Sequence, residues 1–147
     1  MNPIIKELYN DINDYLDHSD FDLKSKYNNI DKINKIYNIL KNDNSIDGPF
    51  LMYFICKEIL NDRHVEYEDI ILRDIIYTFL YMSQVIKKDS NQIIKWSQAE
   101  KLFLTSPHYA SIYSMYYLQK RWEEAESIIK NNIEDWLNYK KHFNIDD

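Results

Sequence analysis

KWSQAEKLFLTS, Lys95 to Ser106, and RWEEAESIIKNN, Arg121 to Asn132, decide how this chain is read. Each contains Trp-x-x-Ala-Glu, and the interval between them is 26 residues. Trp96, Ala99, Glu100, Phe103, Ser106 and Tyr113 align at that spacing with Trp122, Ala125, Glu126, Ile129, Asn132 and Tyr139. A repeat of this size is one supersecondary unit that buries its apolar face on its neighbour. Each unit reads as a short helix starting near the Trp, a polar break and a second short helix. Ser106-Pro107 supplies a cap followed by proline at the first helical position, and Asn132 caps with Asp135 three residues on. The chain has three alanines, Ala99, Ala110 and Ala125. So sparing a use places them where helices approach closely, with Trp96 and Trp122 filling the space beside Ala99 and Ala125.

Upstream, YTFLYMSQVIKK from Tyr77 matches YASIYSMYYLQK from Tyr109 in Tyr-x-x-x-Tyr, a later aliphatic residue and Lys, and reads as a degenerate copy. The first half has longer helical periods. Asn2 caps a helix with Pro3 at its first position, and Ile5, Leu8, Tyr9, Ile12, Tyr15 and Leu16 follow at three- and four-residue steps. DHSDFD interrupts it. A second helix is expected over about Asp22–Lys41, with Leu23, Tyr27, Ile30, Ile33, Ile36, Tyr37 and Leu40 on one stripe. Gly48-Pro49 opens a third, through about Asn61, which is apolar nearly all round and so the most buried. A fourth spans about Tyr67–Lys88 and ends at KKDSNQ. The expected architecture is one all-α domain over 1–147. N-terminal helices (1–66) form a bundle that continues into a stacked, solenoid-like repeat region (67–147).

SPHYASIYSMYYLQKRWEEAE resembles a helical repeat of tailed-phage and large-virus proteins, typically Tyr-Ala-x-x-Tyr-Ala, an aliphatic residue, then Lys-Gly-Arg-Trp-x-x-Ala-Glu. Tyr109, Ala110, Tyr113, Leu118, Arg121, Trp122, Ala125 and Glu126 carry the match. Ser114 replaces the second Ala, and Gln119-Lys120 replaces Lys-Gly. Without that Gly, either another residue takes a strained turn before Trp122 or the two helices fuse. The resemblance covers roughly residues 77–143 and implies a viral, phage-type origin, with no chemistry of its own.

Composition narrows the classes. One Gly and three Pro argue against hairpin-rich β folds. A single Cys56 forms no intramolecular disulfide. The N-terminus lacks the apolar core of a signal peptide, and PFLMYFICKEIL is broken by Lys57 and Glu58 short of a membrane span. The expectation is a protein of the host-cell cytoplasm. Net charge is −6 and lies at one end: residues 1–22 hold Glu7, Asp11, Asp14, Asp17, Asp20 and Asp22 against Lys6 alone. Nucleic acid, which needs clustered Lys and Arg, is disfavoured. Either this is a solvated helix face or it meets a basic protein surface, with Asp11, Asp14 and Asp17 projecting from one side.

Candidate chemistry is thin. Cys56 with His64 as base is set against an inert thiol in an apolar helix, which fits YFICKEI better. His64, Glu66, Glu68 and Asp69 lack a second His or Cys at ligand spacing. His18, His108 and His142 are scattered, and no Gly-rich phosphate loop exists. Glu100 and Glu126 recur with the repeat, which suits a bond between adjacent units, with Arg121 a candidate partner. Tyr109, Tyr113, Tyr116 and Tyr117 read first as core, with Tyr109, Tyr113 and Tyr116 sharing a face; as function, they would bind a protein. No cofactor or metal is expected. The functional expectation is a non-enzymatic phage-type interaction protein that blocks or scaffolds a host or viral protein, such as an inhibitor of a CRISPR effector. A nucleic-acid-binding regulator and a small metal-dependent enzyme are the alternatives.

Overall fold

A computed structural model describes residues 1–18, 21–87 and 92–146. Among them there is no strand, and the fold is all-α. The chain divides into two compact units, Met1–Arg73 and Asp74–Asp147, so the boundary falls a short helix later than position 66. The breaks expected at 17–22 and 87–92 fall partly outside the described residues.

In the first unit α1 spans Pro3–Asp17, with Asn2 Oδ1 accepting from Ile4 N at 2.9 Å. Ile5, Leu8 and Ile12 are its buried apolar positions. The expected helix over 22–41 is two: α2, Leu23–Tyr27, and α3, Ile30–Asn42. Asn29 causes the break. Its Oδ1 accepts from Asp31 N and Lys32 N at 3.0 and 3.2 Å, which starts a new helix on amides that a continuous one would have used. α4, Gly48–Phe54, runs on as a π-helical turn over Ile55–Leu60 and is buried on nearly every side. Packing runs α1 on α2, α2 on the 55–60 turn, α3 on α4 and α4 on α5, Glu68–Ile71.

The helix expected over 67–88 is also broken. Asp74 caps α6, Ile75–Tyr81, by accepting from Ile76 N at 2.8 Å and Tyr77 N at 3.3 Å. A π turn, Met82–Ile86, completes it. α7 is Ser97–Phe103, α8 is Pro107–Ile112 continued by a π turn over Tyr113–Leu118, α9 is Glu123–Ile129 and α10 is Ile133–Phe143. Within this second unit α6 packs on α7, α7 on α8, α8 on α9, and α10 on both α8 and α9. The caps stand where the spacing put them: Ser106 Oγ accepts from Tyr109 N at 3.2 Å, and Asn132 Oδ1 from Asp135 N at 3.1 Å.

Gln119 resolves the missing glycine. It takes the left-handed conformation, φ 57° and ψ 34°, and the two helices stay separate. Asn61 does the same at φ 53° after the 55–60 turn. The likeness between these two places extends further. A Pro-started α-helix, a six-residue π turn, a left-handed residue and then Arg, with Glu five positions after it, recur 58 residues apart. Arg63 Nε lies 2.8 Å from Glu68 Oε2, and Arg121 Nε lies 3.0 Å from Glu126 Oε2. Both pairs are two-pronged, closing through Nη2 to Oε1 at 3.0 and 2.7 Å. The repeat device thus reaches back to Gly48, ahead of the 77–143 span.

Candidate functional site

Between α8 and α10 lies a cleft of about 550 Å³. His108, Ser111, Ile112, Met115 and Tyr116 form the α8 side, and Asp135, Asn138, Lys141 and His142 the α10 side. Both walls are the second helices of consecutive repeats, the kind of paired surface that repeat proteins use for binding. The floor rests on one apolar cluster of Ala110, Met115, Ala125, Ile129 and Tyr139, flanked by Trp122 and Trp136. Ala110 of α8 and Ala125 of α9 are both fully buried there.

The second unit is pinned by a hydrogen bond that each repeat makes within itself. Tyr113 Oη donates to Glu100 Oε2 at 2.7 Å, and Tyr139 Oη to Glu126 Oε2 at 2.8 Å. Glu100 and Glu126 therefore tie the first helix of a repeat to its own second helix, where the sequence suggested a bond between neighbours. Arg121 also serves Glu126, and its hydrogen bond holds that carboxyl below its ordinary value. Trp122 N donates to Tyr139 Oη at 2.9 Å, so the Trp backbone joins the same knot. Burial and the Glu126 bond push Tyr139 up to about 12.

Chemistry in the cleft is limited by geometry. His108 Nδ1 is 3.0 Å from Asp135 Oδ1, and Ser111 lies one helical turn from His108. A serine–histidine–aspartate relay needs the histidine to hold the serine proton. Ser111 Oγ has no hydrogen-bond partner among the described residues, and the residue is 1% exposed. The three side chains stand close without forming that chain of bonds.

The other sequence candidates separate by burial. Asp14 and Asp17 are exposed on α1, but Asp11 is not part of an open face. It is 8% exposed, accepts from the Tyr27 hydroxyl and lies 2.7 Å from Lys26 Nζ. Helical spacing failed here because Asp11 sits at the edge of the apolar stripe, within reach of α2. Tyr113 and Tyr117 are core residues with stacked rings 5.2 Å apart, so they are unavailable to a partner. Tyr109 is half-buried against Phe79, and Tyr116 is 62% exposed on the cleft rim. Trp96 and Ala99 are buried; Ala125 is buried and Trp122 half-buried, its ring 5.2 Å from Tyr113.

Cys56 is fully buried, and burial, then Glu68, Glu66 and Asp62, push its thiol up to about 12. In the 62–69 cluster each polar group is otherwise engaged: His64 with Glu66 at 3.1 Å, Glu68 with Arg63, and Asp69 with the Tyr37 hydroxyl at 3.1 Å. Among the described residues no group of three His, Cys, Asp or Glu side chains is arranged to hold a metal ion, and no helix is long and apolar enough to cross a membrane. His108, Asn138, Lys141 and His142 were missed as a group because they belong to different repeats. The signal was present: 27 residues separate His108 from Asp135, one repeat plus one. No protein-family model matches the chain, and neither a curated protein nor a solved structure matches it.

Proposed function

We propose that this chain is a non-enzymatic, phage-type interaction protein that binds a host protein and blocks or scaffolds it. In its most specific form it is an inhibitor of a host defence system such as a CRISPR effector. The observation that carries the reading is the cleft between α8 and α10, where Tyr116, Asn138 and Lys141 stand beside the apolar Ile112 and Met115. Such a combination suits a protein side chain better than bulk water. The exposed Asp14 and Asp17 on α1 supply a second, acidic contact for a partner with a basic surface.

Affinity capture with the whole chain from a bacterial lysate tests this, with retained proteins identified by mass spectrometry. The expected result is one dominant protein, retained at physiological salt and lost when Lys141→Glu is combined with Asp14→Asn and Asp17→Asn. Retention of nucleic acid alone, or of the same protein by the triple variant at unchanged affinity, overturns the proposal.

A further inference from the structure

Three helical hydroxyls in the second unit share one habit. Thr78 donates to Asp74 O at 2.8 Å, Ser83 to Phe79 O at 2.8 Å and Ser114 to Ala110 O at 2.7 Å, each reaching back four residues. Ser111 stands one turn before Ser114 and is buried, yet its Oγ bonds nothing among the described residues. A hydroxyl shut away from water without a partner costs stability, which the free protein carries unless something in the cleft completes it.

The rest of the cleft shows what that something is. Tyr116, Asn138, Lys141 and His142 line it without a hydrogen bond or ion pair among the described residues. Its one carboxylate, Asp135, already takes the His108 ring at 3.0 Å. Lys141 is therefore a fixed positive charge with no carboxylate in ion-pair distance among the described residues, in a chain whose net charge is −6. Ile112 and Met115 give the same space an apolar wall.

Resting on the protein-binding reading above, we infer that this cleft takes an Asp or Glu side chain of a partner protein together with an apolar residue beside it. The carboxylate oxygens accept from Lys141, His142 and Asn138. The apolar neighbour lies on Ile112 and Met115, and one carboxylate oxygen also accepts from Ser111 Oγ once the lining side chains part to uncover it. A phosphate backbone fits less well, because Lys141 is the cleft's one side chain with a fixed positive charge and nucleic-acid affinity needs several. The volume of about 550 Å³ holds two side chains and their connecting backbone.

The experiment follows amide shifts of the isotope-labelled whole chain during titration with the peptide acetyl-Leu-Glu-Leu-amide, and in parallel with its Gln counterpart. Saturable shifts over 108–116 and 135–142 are expected, with the Glu peptide binding roughly tenfold tighter, the worth of one charge-assisted hydrogen bond. Lys141→Glu should abolish the preference. Ser111→Ala should weaken the Glu peptide while raising the melting temperature of the free protein, since it removes an unpaired hydroxyl. A hydroxyl with only a structural role would lower the melting temperature and leave binding alone, and that result overturns the inference. So does equal binding of the Gln peptide, shifts confined to other residues, or displacement of the Glu peptide by single-stranded DNA from the same residues. If lysate capture succeeds but the Glu peptide does not bind, the cleft assignment falls and the interaction reading stands. If the peptide binds but no protein is captured, the reverse holds.

Discussion

Gln119 holds a backbone conformation that costs an L-residue with a Cβ roughly 1–2 kcal/mol. It persists because the 113–118 π turn must stop for Arg121 and Trp122 to reach Glu126 and Tyr139. Gln119→Gly relieves the strain and gives back part of the gain through a freer unfolded chain. The expected net effect is a stabilisation of about 0.5–1 kcal/mol, read from the denaturant midpoint, with a smaller gain for Asn61→Gly because Asn tolerates the left-handed region. An unchanged or lower midpoint for Gln119→Gly would mean that the turn is held for another reason. Cys56 is the opposite case, a residue with no freedom at all. Its buried thiol should label slowly in the native protein at about pH 8, where an ordinary thiol is partly ionised, and rapidly in denaturant. Fast native labelling would contradict the core placement.

Each repeat is two short helices joined by a Tyr–Glu bond, and the elements stand or fall by that join. Glu126 has a folded pKa below its ordinary 4.5 because Arg121 and Tyr139 bond its charged form. Its contribution is therefore present above pH 4.5 and is lost as pH falls through the lower folded value. Glu126→Gln should cost about 1–2 kcal/mol near neutral pH, discounted for the exposed Arg121, and the gap to the parent should close in acid. A gap that persists unchanged at acid pH would assign the loss to packing. Ala125→Leu should cost roughly 1–3 kcal/mol by overpacking the α8–α9 contact, and wild-type melting would refute the close approach. The residues of these joins were legible in the sequence, because a 26-residue spacing repeats the Trp, Ala, Glu and Tyr together. Their pairing was not, since the Glu was expected to bond the adjacent unit. Other features were hidden. Asn29 and Asp74 look like polar-face residues of a continuous helix until their side chains are seen bonding the next amides. The π turns hid more, since an i to i+5 bonding pattern shifts the face that each later residue presents. That shift sends Tyr117 inward after Tyr113 and leaves Tyr116 outside, reversing the pairing that helical spacing suggested. The cleft left one trace in the sequence, the 27-residue interval from His108 to Asp135, and was otherwise hidden because its residues gather only when consecutive repeats pack.

Across the whole molecule charge is divided unevenly between the two units. The first has 14 acids against nine bases, the second ten against nine. The excess is not uniformly free, because Glu7 and Asp11 are drawn to Lys26 at 2.8 and 2.7 Å. Asp14 and Asp17, beside the exposed Leu16, are what α1 offers to a basic partner. Asp14→Asn with Asp17→Asn should leave folding stability within about 0.5 kcal/mol of the parent, as exposed changes usually do. Adding Asp11→Asn should cost a further 1–3 kcal/mol or so, since it weakens bonds to the buried Tyr27 hydroxyl and to Lys26. The double variant therefore isolates long-range attraction from folding. With the captured partner it should associate more slowly than the parent, and the difference should shrink as salt rises, while dissociation barely changes. Association rates measured at two salt concentrations decide the matter: a double variant with the parent's rate at both leaves these acids to solvent and puts recognition elsewhere on the molecule.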